Sequence, residues 1–217
     1  MARISSPWVG IGKGKMGEGI YYERKGKIYS KQYRAHINQP KTVKHELDWG
    51  NFRVSQKICN TFKIVVKEYW KSAKEGQTDL NSLMSYTRLS ALQLVGDVWE
   101  PDWEKVRLAS GTLVGFKKPV TIQVVGDNLI FSWEDNSGIG GAKKDDYFVY
   151  MLLFTSTATD KIYGQVKYDK TTQTRKDESF TLEKTVQICG NLRVYGCFVS
   201  ADGKKVSDSM YFGEVLL

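Results

Sequence analysis

The sequence predicts an α+β protein in two parts: a β-hairpin and helical hairpin over residues 1–110, then a seven-strand β-sandwich over residues 111–217. Three observations predict it. Two Tyr- and Ile-rich runs flank Lys25-Gly26 near the start. Apolar residues then recur at helical spacing from Thr42 to Leu94. Beyond Gly111 the pattern changes to two-residue alternation broken by Gly, Asp and Asn.

The first element is a hairpin of Ile20–Arg24 and Lys27–Arg34, turning at Gly26, where a positive φ suits glycine. A lone two-strand hairpin is marginal in water, so it is expected to dock on the rest of the chain or on a partner. Asn38-Gln39-Pro40 breaks the chain and Thr42 caps a helix. Leu47, Val54, Ile58, Phe62, Val65 and Tyr69 mark one face of a long helix reaching Lys74, with a kink or break expected at Gly50. Gly76 reads as the residue ending that helix. Asp79 reads as the cap of a second, whose inner face is Leu83, Tyr86, Leu89 and Leu92. Gly96–Gly111 is a connector in which Trp99 and Trp103 anchor against both parts.

The expected strands are Val120–Val125, Asn128–Trp133, Tyr147–Phe154, Lys161–Val166, Ser179–Leu182, Leu192–Val199 and Val206–Val215. Seven strands in about 100 residues, with turn signals between them (one of them Asp169–Thr174), argue for a sandwich.

Charge separates the two ends. The chain carries 32 Lys+Arg and 24 Asp+Glu, a net +8. Residues 1–75 hold 16 basic and 6 acidic residues, and the remainder 16 and 18, so the basic excess lies at the start. The start has no apolar core of a secretory signal, and no run of about 18 apolar residues occurs, so a cytoplasmic protein without a membrane span is expected. Three cysteines fit a reducing compartment.

Candidate chemistry is sparse. Gly12-x-Gly14-x-x-Gly17 has the letters of a dinucleotide loop, but the required strand before and helix after are not predicted. His36 and His45 flank the proline break and read as surface or capping residues. Asp145-Asp146 and Glu134-Asp135 read as solvated loop acids. No nucleophile, acid–base or zinc signature appears, so catalytic, cofactor and metal residues are expected to be none and the protein is read as no enzyme. The candidate interaction patch is the hairpin: Tyr21, Tyr22, Tyr29 and Tyr33 interleave with Arg24, Lys25, Lys27, Lys31 and Arg34. Tyr beside cations stacks nucleic-acid bases, forms protein interfaces, or stabilises a hairpin by cross-strand pairing, and all three readings stand.

Three stretches carry a resemblance. GKMGEGIYYERKGKIYSK followed by NQPKT, LASGTL at 108–113, and ADGKKVSDSMYFGEV at 201–215 resemble an uncharacterised family of Bacteroidota proteins of similar length. The chain departs from that family at Lys31, Gln39 and His45. The family carries no established activity. The N-terminal half is also similar, loosely, to small phage structural proteins, which implies a structural or protein-interaction role, of prophage or mobile-element origin and virion-associated. Leu129-Ile-Phe131-Ser-Trp133 and the pair Leu192–Val199 and Val206–Phe212 around Asp202-Gly203 resemble a fibronectin type III or immunoglobulin-like domain, which implies a spacer or binding module. The expected partner is a protein, with nucleic acid the alternative.

Overall fold

The computed structural model describes residues 2–3, 14–16, 19–24, 26–32, 42–71, 75–155, 166–183 and 191–216. The chain divides into two compact units, Met1–Thr42 and Val43–Leu217. The sequence-based division at 110/111 passes through the second of these.

The first unit holds an antiparallel sheet of four strands: β1 (Ala2–Arg3), β2 (Gly14–Met16), β3 (Gly19–Arg24) and β4 (Lys27–Gln32), in the order β1-β4-β3-β2. The expected hairpin is its centre, and Gly26 turns it at φ 71°. The glycine-rich lead-in supplies a third strand rather than a mere approach, because Gly14–Met16 pairs with Gly19–Tyr21.

In the second unit the long helix is two: α1 (Val43–Thr61) and α2 (Lys63–Tyr69). The break falls at Phe62, not at Gly50. Glycine at 50 leaves room for Trp99, whose Cδ1 would stand 3.2 Å from a Cβ there. Helix α2 ends at Trp70, which turns extended and bridges Ser110, so Gly76 ends no helix. Thr78, not Asp79, caps α3 (Asp79–Ser90): its hydroxyl accepts from the Asn81 N–H at 3.2 Å. Helix α3 buries Leu83 and Thr87, whereas Leu89 is 83% exposed. Leu92 belongs to a strand, β5 (Leu92–Val95), paired with β6 (Val98–Pro101).

Seven further strands form two antiparallel sheets. β7 (Lys117–Val125), β8 (Asn128–Glu134) and β11 (Ser179–Glu183) make the order β11-β8-β7. β9 (Tyr147–Thr155), β10 (Val166–Thr174), β12 (Asn191–Val199) and β13 (Met210–Leu216) make β10-β9-β12-β13. Strand β10 occupies the stretch read as a turn, and 161–165 lie outside the described residues. As an edge strand with only Thr171 buried, β10 can be as polar as a loop.

The four-stranded sheet is buried on both faces. Phe148, Tyr150 and Leu152 of β9 and Leu192, Val194 and Phe198 of β12 pack with Leu129, Phe131 and Trp133 of β8. The alternate residues, Val149, Met151, Leu153, Tyr195, Cys197 and Val199, pack with Ile58, Phe62, Val66 and Leu83 of the helices. This explains the unbroken apolar run from Tyr147 to Phe154, since strands covered on both sides lose the polar half of their alternation. The second unit is thus a mixed α and β structure of three layers, with mostly antiparallel sheets that close into no barrel among the described residues. No helix among the described residues is long and apolar enough to cross a membrane.

Candidate interaction surface

The β3–β4 register decides what the basic hairpin displays. Tyr22 stands opposite Tyr29, Arg24 opposite Lys27 and Ile20 opposite Lys31. Directly opposed residues share one face of a sheet. Lys15 of β2 pairs with Ile20, and Arg3 of β1 with Tyr29, so all five cation positions fall in the register set of the two tyrosines. The alternate set, with Tyr21, Glu23, Ile28, Ser30 and Gln32, holds one charge, and it is acidic. The Tyr22 and Tyr29 rings stack at 5.8 Å with 21° between planes. Of the predicted patch, Tyr22, Tyr29, Arg24, Lys27 and Lys31 therefore belong together, and Tyr21 belongs to the other set. Lys25, Tyr33 and Arg34 lie outside the described residues, as do Gly12, Gly17, His36 and Cys189.

Other candidate groups have structural partners. His45 accepts from Trp49 Nε1 at 2.8 Å on exposed α1. Cys59 and Cys197 are buried free thiols, and burial pushes the Cys59 thiol up to about 12 and raises that of Cys197 as well. Asp146 is no solvated loop acid. It is fully buried and pairs at 3.2 Å with Arg175 Nη2, itself fully buried. Arg175 also donates to the carbonyls of Val114 and Gly115 and to Asn136 Oδ1, and lies 3.9 Å from the Phe198 ring centre. Burial lowers the Arg175 pKa and the nearby Asp146 charge opposes that shift. One side chain thus ties the β8–β9 loop to the start of β7 and to β12.

The second and third family-like motifs meet in space. The Ser209 hydroxyl accepts from the Leu108 N–H at 2.8 Å, and the Ser209 N–H donates to the Ala109 carbonyl at 3.0 Å. Asp208 Oδ1 accepts from the Ser110 hydroxyl at 2.8 Å and from the Gly111 N–H at 3.3 Å, while its other oxygen pairs with Arg107. Gly111 lies so close to Val206 that a Cβ would stand 2.2 Å from the carbonyl oxygen. LASGTL and VSDSM are two sides of one joint between the helical layer and the sheets. Trp99 rests on α1 at Gly50, and Trp103 lies under Arg193 of β12 with 4.4 Å from guanidinium to ring centre.

Concave surfaces among the described residues of the second unit include the following two. One of about 450 Å³ runs along α1 between Val43 and Lys57 and against Asp97, Val98 and Trp99. The other, about 580 Å³, lies where Tyr86 and Arg107 approach Lys118 and Tyr211. Sequence reading missed the first because its α1 residues (Val43, Gly50 and Lys57 among them) mix apolar and charged types. The seven-residue spacing of those three was the available signal.

A protein-family profile described as a family of unknown function (DUF6266) matches residues 11–213. No curated protein and no solved structure matches the chain.

Proposed function

This chain belongs to the family of unknown function DUF6266, and within it we propose a non-enzymatic binding protein whose N-terminal sheet engages a partner protein. The observation that carries this reading is the register that gathers Arg3, Lys15, Arg24, Lys27 and Lys31 into one set with the stacked Tyr22–Tyr29 pair. Cation positions alone suit any solvated edge. Tyr and Arg together form the kind of surface that protein interfaces favour. Strands β7 to β13 of the second unit are read as a fibronectin type III-like sandwich, which would serve as the scaffold. The three-plus-four strand order and the inward Trp133, 4.6 Å from Phe148 between ring centres, support that reading.

A second reading, a single-stranded nucleic acid on the same sheet, is favoured by the Tyr pair among cations, because base stacking and phosphate contact use those groups. The test compares the parent with a Lys27→Glu/Lys31→Glu variant. Affinity capture with cross-linking should recover a protein partner with the parent and lose it with the variant. Equal recovery by both overturns the protein reading. A labelled single-stranded oligonucleotide that binds the parent at about 50 mM salt, and weakens steeply by about 200 mM, selects the second reading instead.

A further inference from the structure

We propose that the second unit forms a two-fold homodimer through the groove of α1, with α1 of a second copy lying antiparallel in it. All the residues involved belong to α1 and the β5–β6 hairpin of the second unit. The groove side of α1 is the stripe Val43, Glu46/Leu47, Gly50, Arg53/Val54 and Lys57. These positions recur at three, four and seven residues, the spacing of a helix-packing seam, over about 21 Å. The seam is open: Val43 is 75% exposed and Val98, on its rim, 61%. Helix α1 has no buried residue before Asn51; Leu47 is half-buried, and Val43 and Trp49 are exposed.

The charges choose the occupant. Glu46 and Asp97 are acidic, Arg53 and Lys57 basic, and among the described residues none of the four makes an ion pair within the chain. Along α1 the acid comes first and the two bases follow one turn or more later. A two-fold interface requires each patch to complement its own rotated copy. An axis passing near Gly50 puts Val43 opposite Lys57 of the second copy and Glu46 opposite its Val54. The second copy's Arg53 and Lys57 then flank Glu46 on either side. The same pairs repeat across the axis, so the three α1 charges left alone in one chain, Glu46, Arg53 and Lys57, are placed near opposite charges in two. A parallel second helix would set Glu46 beside Glu46 and Lys57 beside Lys57.

Sedimentation of the full chain at about 10–100 μM reads the result. A species of twice the 24.7 kDa chain mass is expected. Glu46→Lys, which sets like charges together twice per dimer, is expected to weaken self-association at least about tenfold. Val98→Asp is expected to do the same. The exchanged variant Glu46→Lys/Arg53→Glu/Lys57→Glu is expected to regain the dimer, which separates a charge effect from misfolding. A chain that stays monomeric at 100 μM overturns the proposal, and so does a dimer indifferent to Glu46→Lys and Val98→Asp. A dimer held through the N-terminal sheet would give that second result.

Discussion

Asp146→Ala is expected to destabilise the second unit far more than removal of both members of its ion pair. In the parent, Asp146 Oδ2 accepts from Arg175 Nη2 at 3.2 Å, from Arg175 Nε at 3.3 Å and from the Lys143 N–H at 2.8 Å. Deleting the carboxylate leaves a guanidinium with no solvent exposure hydrogen-bonded to neutral acceptors, Val114 O, Gly115 O and Asn136 Oδ1, with the Asp135 charge also acting on it. Breaking a buried pair in this way costs about 3–5 kcal/mol. The three remaining acceptors and the Phe198 ring place this site near the lower end. About 3 kcal/mol corresponds to a fall in Tm of roughly 6–12 °C for a unit of this size.

The double variant Asp146→Ala/Arg175→Leu removes the stranded charge. Asp146 Oδ1 is buried without a hydrogen-bond partner among the described residues, so the parent pair is itself incompletely satisfied. A pair of that kind gives little net stability over an apolar replacement. The double variant should therefore recover more than half of the loss. Urea denaturation of the four proteins, read as a double-mutant cycle, measures the coupling. The reasoning is refuted if Asp146→Ala lies within about 1 kcal/mol of the parent, or if the two single losses simply add.

Two further outcomes follow from the core. Gly111→Ala should cost more than about 2 kcal/mol by urea denaturation, because the new Cβ would meet the Val206 backbone carbonyl at 2.2 Å and one of the two backbone segments must shift. Stability should also fall as pH rises from about 9 towards 12. Burial raises the folded-state Cys59 thiol to about 12 from 9.0, so the unfolded chain loses its proton first and the stability held below pH 9 disappears across that interval. The slope attributable to one such thiol is about 1.4 kcal/mol per pH unit, and a Cys59→Ala variant compared with the parent at pH 8 and pH 10.5 should show a correspondingly smaller decline.

Local chemistry made much of this fold legible. The hairpin turn at Gly26 needs a positive φ, and strands such as Asn128–Glu134 keep a strict alternation with Leu129, Phe131 and Trp133 inward. The missed features share a cause, which is that a tertiary neighbour overrides the local signal. Gly50 reads as a helix breaker until Trp99 is seen against it. Val166–Thr174 reads as a turn because an edge strand with one buried side chain needs few apolar residues. Leu89 fits the periodic face of α3, yet the helix turns Thr87 inward and leaves Leu89 in water. Asp146 reads as a solvated loop acid because its partner Arg175 stands 29 residues away. The hairpin patch was legible as a composition but not as a surface, since only pairing separates Tyr21 from Tyr22.

The motifs that are easiest to see in this sequence do structural work, which bears on where function should be sought. LASGTL and VSDSM stand about a hundred residues apart and close on one another through Ser209, Asp208 and the bare backbone at Gly111. Ser209, Asp208, Ser110 and the backbone at Leu108, Ala109 and Gly111 spend hydrogen bonds on holding the two motifs together. A chain resembling others at these places shares their fold with them and need share nothing more, because fold and site are separate properties. The two proposed surfaces lie elsewhere in the chain, on the charged register set of the N-terminal sheet and in the groove of α1. The first carries five cation positions around a tyrosine pair, and the second four charges without partners among the described residues. Substitutions in the joint should therefore change stability without changing partner choice, and substitutions on these two surfaces should do the reverse.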